Sequence, residues 1–220
     1  MRTPSDAAER GVAIVGSGGY ARETLELLHD LASQGHQLRV LGFFPSHPPT
    51  CSLNSTAPYP YLGTDQEFID RDYDADVVLA IGDPRIRESL ATLYAAAGYQ
   101  SLSLSHPSAV IGGSCRFSGG VIVSALACVT ANVQVGRNVH IDRAAQVGHD
   151  CEVGDFVTIY PAATLAGNVT VGKCAVIGTS ATILPGINVG AHSTVGAGAV
   201  VTRNVEPGSK VAGVPAKVLV

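Results

Sequence analysis

The sequence predicts two architectures in series, a parallel α/β sheet in the N-terminal half and a three-sided parallel β-helix from about Ile111 onward. Three observations carry this expectation. Apolar anchors recur at every sixth residue through the second half, and strand-like and helix-like stretches alternate in the first. A glycine turn at Gly16-Ser17-Gly18 joins the first strand to the first helix.

The stride of six starts at Ile111 and runs through Phe117, Val123, Val129 and Val135 to Val201, sixteen positions that are all aliphatic or Phe. About one residue in three is large and apolar in ordinary chains, so chance does not produce such a run. Positions four further on are also small or aliphatic, as at Cys115, Val121, Ala127 and Val133. A period of six fits neither an α-helix nor an amphipathic strand. It fits a prism with one short strand per face, in which the anchor points inward and three hexapeptides make a coil of eighteen residues. Glycine often follows the anchor, as at Gly112, Gly136, Gly148 and Gly178, and is expected to permit the corner geometry.

In the first half, Val12–Gly16 reads as a strand that runs into Ser17-Gly18-Gly19-Tyr20-Ala21 and a helix to about Leu31. Strands are expected at Leu38–Phe44, Asp76–Ile81 and Ser101–Leu104, with a second helix from Arg85 to Ala97 and a Pro-rich loop from Pro45 to Pro60. Such alternation means a parallel sheet with helices on its faces. Gly16, Gly18, Gly19 and Tyr20 form a turn of the kind that brings phosphates to a helix N-terminus, and the same glycines also serve a turn that merely packs. The second strand ends in Phe43-Phe44-Pro45 with no acidic residue to hold a ribose, which disfavours NAD. Gly82-Asp83, at the end of the third strand, is the expected second wall of a ligand crevice.

Of 220 residues, 46% are apolar and 15% charged, with a net charge of −4 and no basic run, so neither nucleic acid nor an anionic membrane is an expected partner. Five cysteines without a C-x-x-C pair read as small buried hydrophobes, not as a zinc site or disulfide frame. No stretch is long and apolar enough for a signal peptide or membrane span, and a cytoplasmic protein is expected.

Several motifs together resemble one family. They are Val15-Gly16-Ser17-Gly18-Gly19-Tyr20-Ala21, Ala80-Ile81-Gly82-Asp83 with Arg87, Ser105-His106-Pro107-Ser108-Ala109, Gly148-His149-Asp150-Cys151, Ala166-Gly167-Asn168-Val169 and Gly213-Val214-Pro215-Ala216-Lys217. Over nearly its whole length the chain resembles the bacterial sugar O- and N-acyltransferases of sialic acid, bacillosamine and perosamine pathways. The resemblance implies a Rossmann-like nucleotide-sugar-binding domain over residues 1–105 and a left-handed parallel β-helix acyltransferase domain over residues 106–220. It implies acetyl-CoA as acyl donor without a metal, a homotrimer with acetyl-CoA in the groove between neighbouring helices, and N-acetylation of a nucleotide-linked amino sugar. O-acetylation of a free or linked sugar stays open, since the same base serves either acceptor.

His149 lies two residues past an inward anchor, so its ring should project from the prism, although an outward His is also ordinary surface. Imidazole suits a general base near neutral pH, and Asp150 could hold its other ring nitrogen. The resemblance assigns the backbone N–H of Gly167 to the thioester carbonyl. It places Thr158, Gly178, Thr179, Ala197 and Lys217 along the acyl-CoA, and Gly16, Gly18, Gly19, Tyr20, Gly82, Asp83, Arg87 and Asp142 about the nucleotide sugar. Two departures stand out. Thr158 occupies a position where many members carry a second histidine, and Phe44-Pro45 replaces an acidic pair after the second strand.

Two other classes compete. A metal-dependent hydratase of the γ-carbonic anhydrase type needs three converging histidines, and the spacing of His140, His149 and His192 does not match that family's ligands. A non-catalytic ligand-binding scaffold is favoured only by Thr158.

Overall fold

A computed structural model of the chain describes residues 10–44 and 61–219. The expected Pro-rich loop, Cys51 and the residues before Arg10 lie outside the described residues. The chain divides into two compact units, one taking residues up to Gly82 together with Ser89–Leu102, the other taking Asp83–Glu88 and all that follows Ser103.

In the first unit, β1 (Arg10–Val15) pairs in parallel with both β2 (Leu38–Phe44) and β3 (Ala75–Leu79), in the order β2-β1-β3. Val12, Ala13, Ile14 and Val15 are all buried, as a central parallel strand covered on both faces requires. Helix α1 (Gly19–Ser33) turns Leu25, Leu28 and Leu31 inward, the face expected from their spacing. A short helix, α2 (Asp65–Asp70), was not expected. It is closed by a reciprocal cap between Thr64 and Glu67, an S/T-x-x-E signal that the sequence does carry. Phe44 is fully buried with its ring 4.5 Å from that of Phe68, so the residue that replaces an acidic one after β2 belongs to the core. Helix α3 (Pro84–Ala96) follows β3. The strand expected at Ser101–Leu104 does not form as one piece, since Ser101 makes an isolated bridge to Val77 and Leu104 opens the second unit.

The second unit is the β-helix. Two-residue strands β4 (Leu104–Ser105), β5 (Val110–Ile111) and β6 (Arg116–Phe117) begin three parallel sheets, here called faces 1, 2 and 3. Strands then recur every six residues through β20 (Val200–Val201), and β21 (Lys210–Ala212) with antiparallel β22 (Lys217–Val218) closes the end. From β4 to β17 each strand pairs with the one eighteen residues on, as His140 does with Thr158, and β19 pairs with β21 sixteen residues on. The anchors from Val123 onward and the positions four beyond them form one continuous buried column. The repeat begins one strand earlier than the apolar pattern suggests, because the anchor at position 105 is a serine.

One expectation about the corners is corrected. From Gly120 to Gly198 the left-handed residue that turns the corner lies three positions after the anchor, not one, and at eleven corners it is not glycine, as at Asn132, Asp150, Phe156 and Asn168. Glycine after the anchor serves close stacking of coils instead. A Cβ at Gly148 would lie 2.7 Å from the Ala166 carbonyl carbon, and one at Gly178 would lie 2.6 Å from the Ala197 nitrogen. The corner strain is offset because each corner N–H bonds to the coil below, as Asp150 does to the Ala131 carbonyl at 2.9 Å.

Candidate active site

His149 stands on the corner between faces 2 and 3, two residues after the buried anchor Val147, and its side chain is 67% exposed. Its Nδ1 lies 2.7 Å from Asp150 Oδ2. A carboxylate on Nδ1 fixes the proton there and leaves the lone pair on Nε2. Asp150 adopts φ 59°, a conformation that Asp and Asn tolerate better than most residues, and this local bend sets its carboxylate beside the preceding imidazole. Asn132, one coil lower, donates from Nδ2 to Asp150 Oδ1 at 3.2 Å. The hydrogen bond to His149, and then that from Asn132, hold the Asp150 carboxyl below its ordinary value.

Gly167 occupies the same corner one coil above His149. A Cβ there would fall onto the imidazole, nearest to Nε2 and 2.5 Å from Cε1, so only glycine fits against the ring. The coils are tied at this point by the Asn168 N–H, which donates to the His149 carbonyl at 2.8 Å. The Gly167 N–H makes no hydrogen bond among the described residues. The Nε2 edge of the ring and a backbone amide without a partner among the described residues are therefore neighbours on this corner, the two kinds of group that acyl transfer requires.

Other expected site residues fall elsewhere. Asp142, Gly178, Thr179 and Ala197 line the corner between faces 1 and 2, on coils tied together by the Gly198 N–H to the Thr179 carbonyl at 2.8 Å. Face 2 separates them from His149, so one chain does not bring the two sets together. Asp142 is buried, and its Oδ1 accepts from the Arg143 N–H at 2.7 Å. Lys217 is exposed on β22. A groove of about 420 Å³ runs along face 3 past Arg116, Gln134 and Glu152, and none of the expected residues lines it.

Arg87 is corrected from substrate contact to internal strut. It is fully buried in the second unit and donates to the carbonyls of Asn138 (2.9 Å), Phe156 (2.7 Å) and Val157 (3.1 Å). It also donates to Thr158 Oγ1 at 3.0 Å. Thr158 is therefore corrected as well, because it is buried beneath the guanidinium and offers no surface to acyl-CoA. Asp83 turns inward to its own helix, where Oδ1 accepts from the Arg85 and Ile86 N–H groups at 2.8 and 3.1 Å and caps α3.

The glycine turn behaves as expected in part. Gly16 has φ 124° and lies against the end of β3, where a Cβ would be 2.8 Å from the Ala80 carbonyl oxygen, so its absence of a side chain is a packing requirement. Gly18 and Gly19 are exposed, and a Cβ at Gly18 would meet nothing within 4 Å. The first turn of α1 carries no acidic residue, and Gly18 supplies no side-chain cap. Tyr20 is half-buried in that turn and Gly82 is half-buried beyond β3. The described residues include no cluster of three potential metal ligands. Burial pushes the Cys174 thiol up to about 11 and raises that of Cys151, so neither is a ready nucleophile.

Sequence reasoning missed Asn132. Its position eighteen residues before Asp150 is the signal that could have found it, since one coil is three hexapeptides.

This is a left-handed β-helix of the hexapeptide acyltransferase class, joined to an N-terminal parallel α/β unit. Residues 11–93 match the family model described as the PglD N-terminal domain. The GDP-perosamine N-acetyltransferase of Escherichia coli O157:H7 is 29% identical over 152 residues, which span 63% of this chain and 62% of that relative. Among solved structures, perosamine N-acetyltransferase from Caulobacter crescentus, with one histidine replaced by asparagine and in complex with CoA and GDP-perosamine, superposes with a TM-score of 0.88. It is 32% identical and covers 98% of this chain and 100% of its own. The acetyltransferase domain of PglB from Neisseria gonorrhoeae, in complex with acetyl coenzyme A, gives a TM-score of 0.87 at 33% identity over 96% of this chain and 100% of its own. The chain belongs to the sugar O- and N-acyltransferase family of the sialic acid, bacillosamine and perosamine pathways.

Proposed function

We propose that this chain transfers the acetyl group of acetyl-CoA to the amino group of a nucleotide-linked amino sugar, with His149 as general base. The observation that carries the reading is that the Gly167 backbone lies against the Nε2 edge of His149, whose other ring nitrogen meets Asp150. The acceptor amine attacks the thioester carbonyl as Nε2 takes its proton, and the Gly167 N–H receives the negative charge on the oxygen. Collapse expels the CoA thiolate, which recovers the proton from the imidazolium. Asp150 holds the ring and stabilises its charged form. Of the other histidines in the β-helix, His106 Nδ1 accepts from the Ser108 N–H at 3.0 Å, His140 is fully buried, and His192 sits in a different corner, between faces 3 and 1. Exposure and the Asp150 contact favour His149.

The nucleotide diphosphate belongs at the open N-terminus of α1, where Gly18 and Gly19 leave room and no carboxylate opposes it. Residues 1–105 then serve as the nucleotide-sugar domain and 106–220 as the acyltransferase domain. Because Gly178, Thr179 and Ala197 lie across face 2 from His149, the acyl-CoA groove needs a neighbouring copy, and a homotrimer supplies one at each side. Face 2 suits that contact, because its outward residues Val110, Cys128, Gln146, Thr164, Thr182 and Val200 carry no charge. No nucleic-acid or membrane partner is needed, and the protein works in the cytoplasm, where acetyl-CoA and nucleotide sugars coexist. No helix among the described residues is long and apolar enough to cross a membrane.

The test is acceptor-dependent release of CoA thiol from acetyl-CoA, with GDP-, UDP- and dTDP-linked amino sugars. His149→Ala is expected to lose about 10²-fold or more in kcat, while His140→Asn retains more activity than His149→Ala. Turnover that survives in His149→Ala removes that residue as the base. Turnover only on free sugars replaces the acceptor, and silence throughout returns the scaffold reading.

A further inference from the structure

Asp150 is an exposed carboxylate, with 46% of its side chain open to solvent, and a carboxylate so placed rotates freely unless both oxygens are held. Oδ2 faces His149 Nδ1. Oδ1 is not left to water alone, because the Asn132 amide reaches it from the coil below at 3.2 Å. Asn132 is itself fixed at two points. Its backbone sits at φ 55°, and its N–H donates to Ser114 Oγ, one further coil down, at 2.9 Å. Ser114, Asn132 and Asp150 thus climb one corner at intervals of a coil and end at the imidazole.

We infer that Asn132 is a positioning residue for the His149–Asp150 pair, holding the carboxylate in the one rotation that keeps the Nδ1–H tautomer and presents Nε2 to the acceptor. An amide suits the task, since its NH₂ donates to the charged carboxylate without carrying charge of its own. The column also explains why Asn follows Ser114 at this corner: the left-handed backbone favours Asx, and only a donor side chain serves Asp150. The lowered Asp150 value agrees, with Asn132 as its second cause after His149. This inference rests on the proposed acetyl transfer.

Asn132→Gly accepts the same backbone conformation and removes only the amide. Asn132→Asp keeps the shape and sets a like charge against Asp150. In both, kcat is expected to fall about tenfold or more, with KM for acetyl-CoA unchanged. In an Asp150→Ala background, Asn132→Gly should add nothing, because the group it positions is gone. Nitrogen-15 NMR of the His149 ring supplies a readout independent of turnover: the Nδ1–H tautomer should dominate in the native protein and give way to a mixture in Asn132→Gly. Unchanged kcat with an unchanged tautomer overturns the inference, as does an additive loss in the double variant. If the native protein acetylates no acceptor, the proposed function fails, and the ring spectrum alone decides whether Asn132 holds Asp150.

Discussion

Gly167 and His149 are stacked so closely that a single methyl group on Gly167 would overlap the imidazole. Gly167 is not among the residues in the left-handed region, so its identity is fixed by this contact and not by its backbone. Gly167→Ala must therefore push the ring away or lift the coil, and either movement separates the proposed base from the proposed amide donor. A loss of about 10²-fold in kcat is expected, the scale of a displacement near 1 Å. Thermal stability should be partly restored in the Gly167→Ala/His149→Ala double variant, where the overlap is gone, while activity stays lost. A Gly167→Ala protein with native kcat would show that the corner accommodates the methyl without moving the ring.

The same corner shows what could be read from the sequence. A period of six gave the prism, the buried column and the outward direction of His149, because each depends only on local spacing. The role of glycine after the anchor was misread, since what excludes a Cβ at Gly148 is the Ala166 backbone eighteen residues away. Arg87 was misplaced for the same reason. Its partners lie 51 to 71 residues away, and nothing in the helix sequence distinguishes a guanidinium aimed at carbonyls from one aimed at a ligand. Asp83 looked like a crevice wall although its position before Pro84 also fits a helix cap, the role its hydrogen bonds give it.

Arg87 yields a stability prediction. Its guanidinium satisfies three carbonyls at the corner and strand start of successive coils, all removed from water. Arg87→Met keeps much of the volume but leaves those carbonyls without their donor, and a cost of about 1–3 kcal/mol for each carbonyl left unsatisfied is expected. Arg87→Lys should fall between, because one ammonium cannot reproduce the planar fork. Denaturant unfolding measures both. If Arg87→Met unfolds like the native protein and loses only nucleotide-sugar binding, the residue contacts substrate after all.

Glu88, the next residue, gives a pH dependence. Its Oε1 lies 2.5 Å from Lys173 Nζ, and that bond holds the Glu88 carboxyl below its ordinary value while raising the Lys173 ammonium. A depressed carboxyl contributes stability above its unfolded value, near 4.5, and that contribution fades as pH falls through the lower folded value. The raised ammonium contributes below its unfolded value, near 10.5, and is lost as pH rises through the folded one. Between the two the pair adds a constant amount. Lys173→Met should lower Tm across that plateau and make the acid limb shallower. An acid limb of unchanged slope would show that Glu88 draws nothing from the lysine.

The division of the proposed acyl-CoA residues between two corners yields a prediction about assembly. His149→Ala disables the corner between faces 2 and 3, whereas Ala197→Glu, at an exposed position, sets a negative charge against an anionic thioester at the corner between faces 1 and 2. If each groove takes one corner from each of two copies, the variants are inactive alone but complementary together. Mixed trimers refolded from equal amounts then contain some grooves with both corners native. Random mixing makes that about one quarter of all grooves, so activity should recover to about a quarter of the native value. Corners acting within one chain would give no recovery, since every chain carries a lesion. Thr182→Arg should also release monomers that keep their fold and lose activity, because it sets a charge on the neutral face 2, while Asn188→Arg on the polar face 3 should do neither.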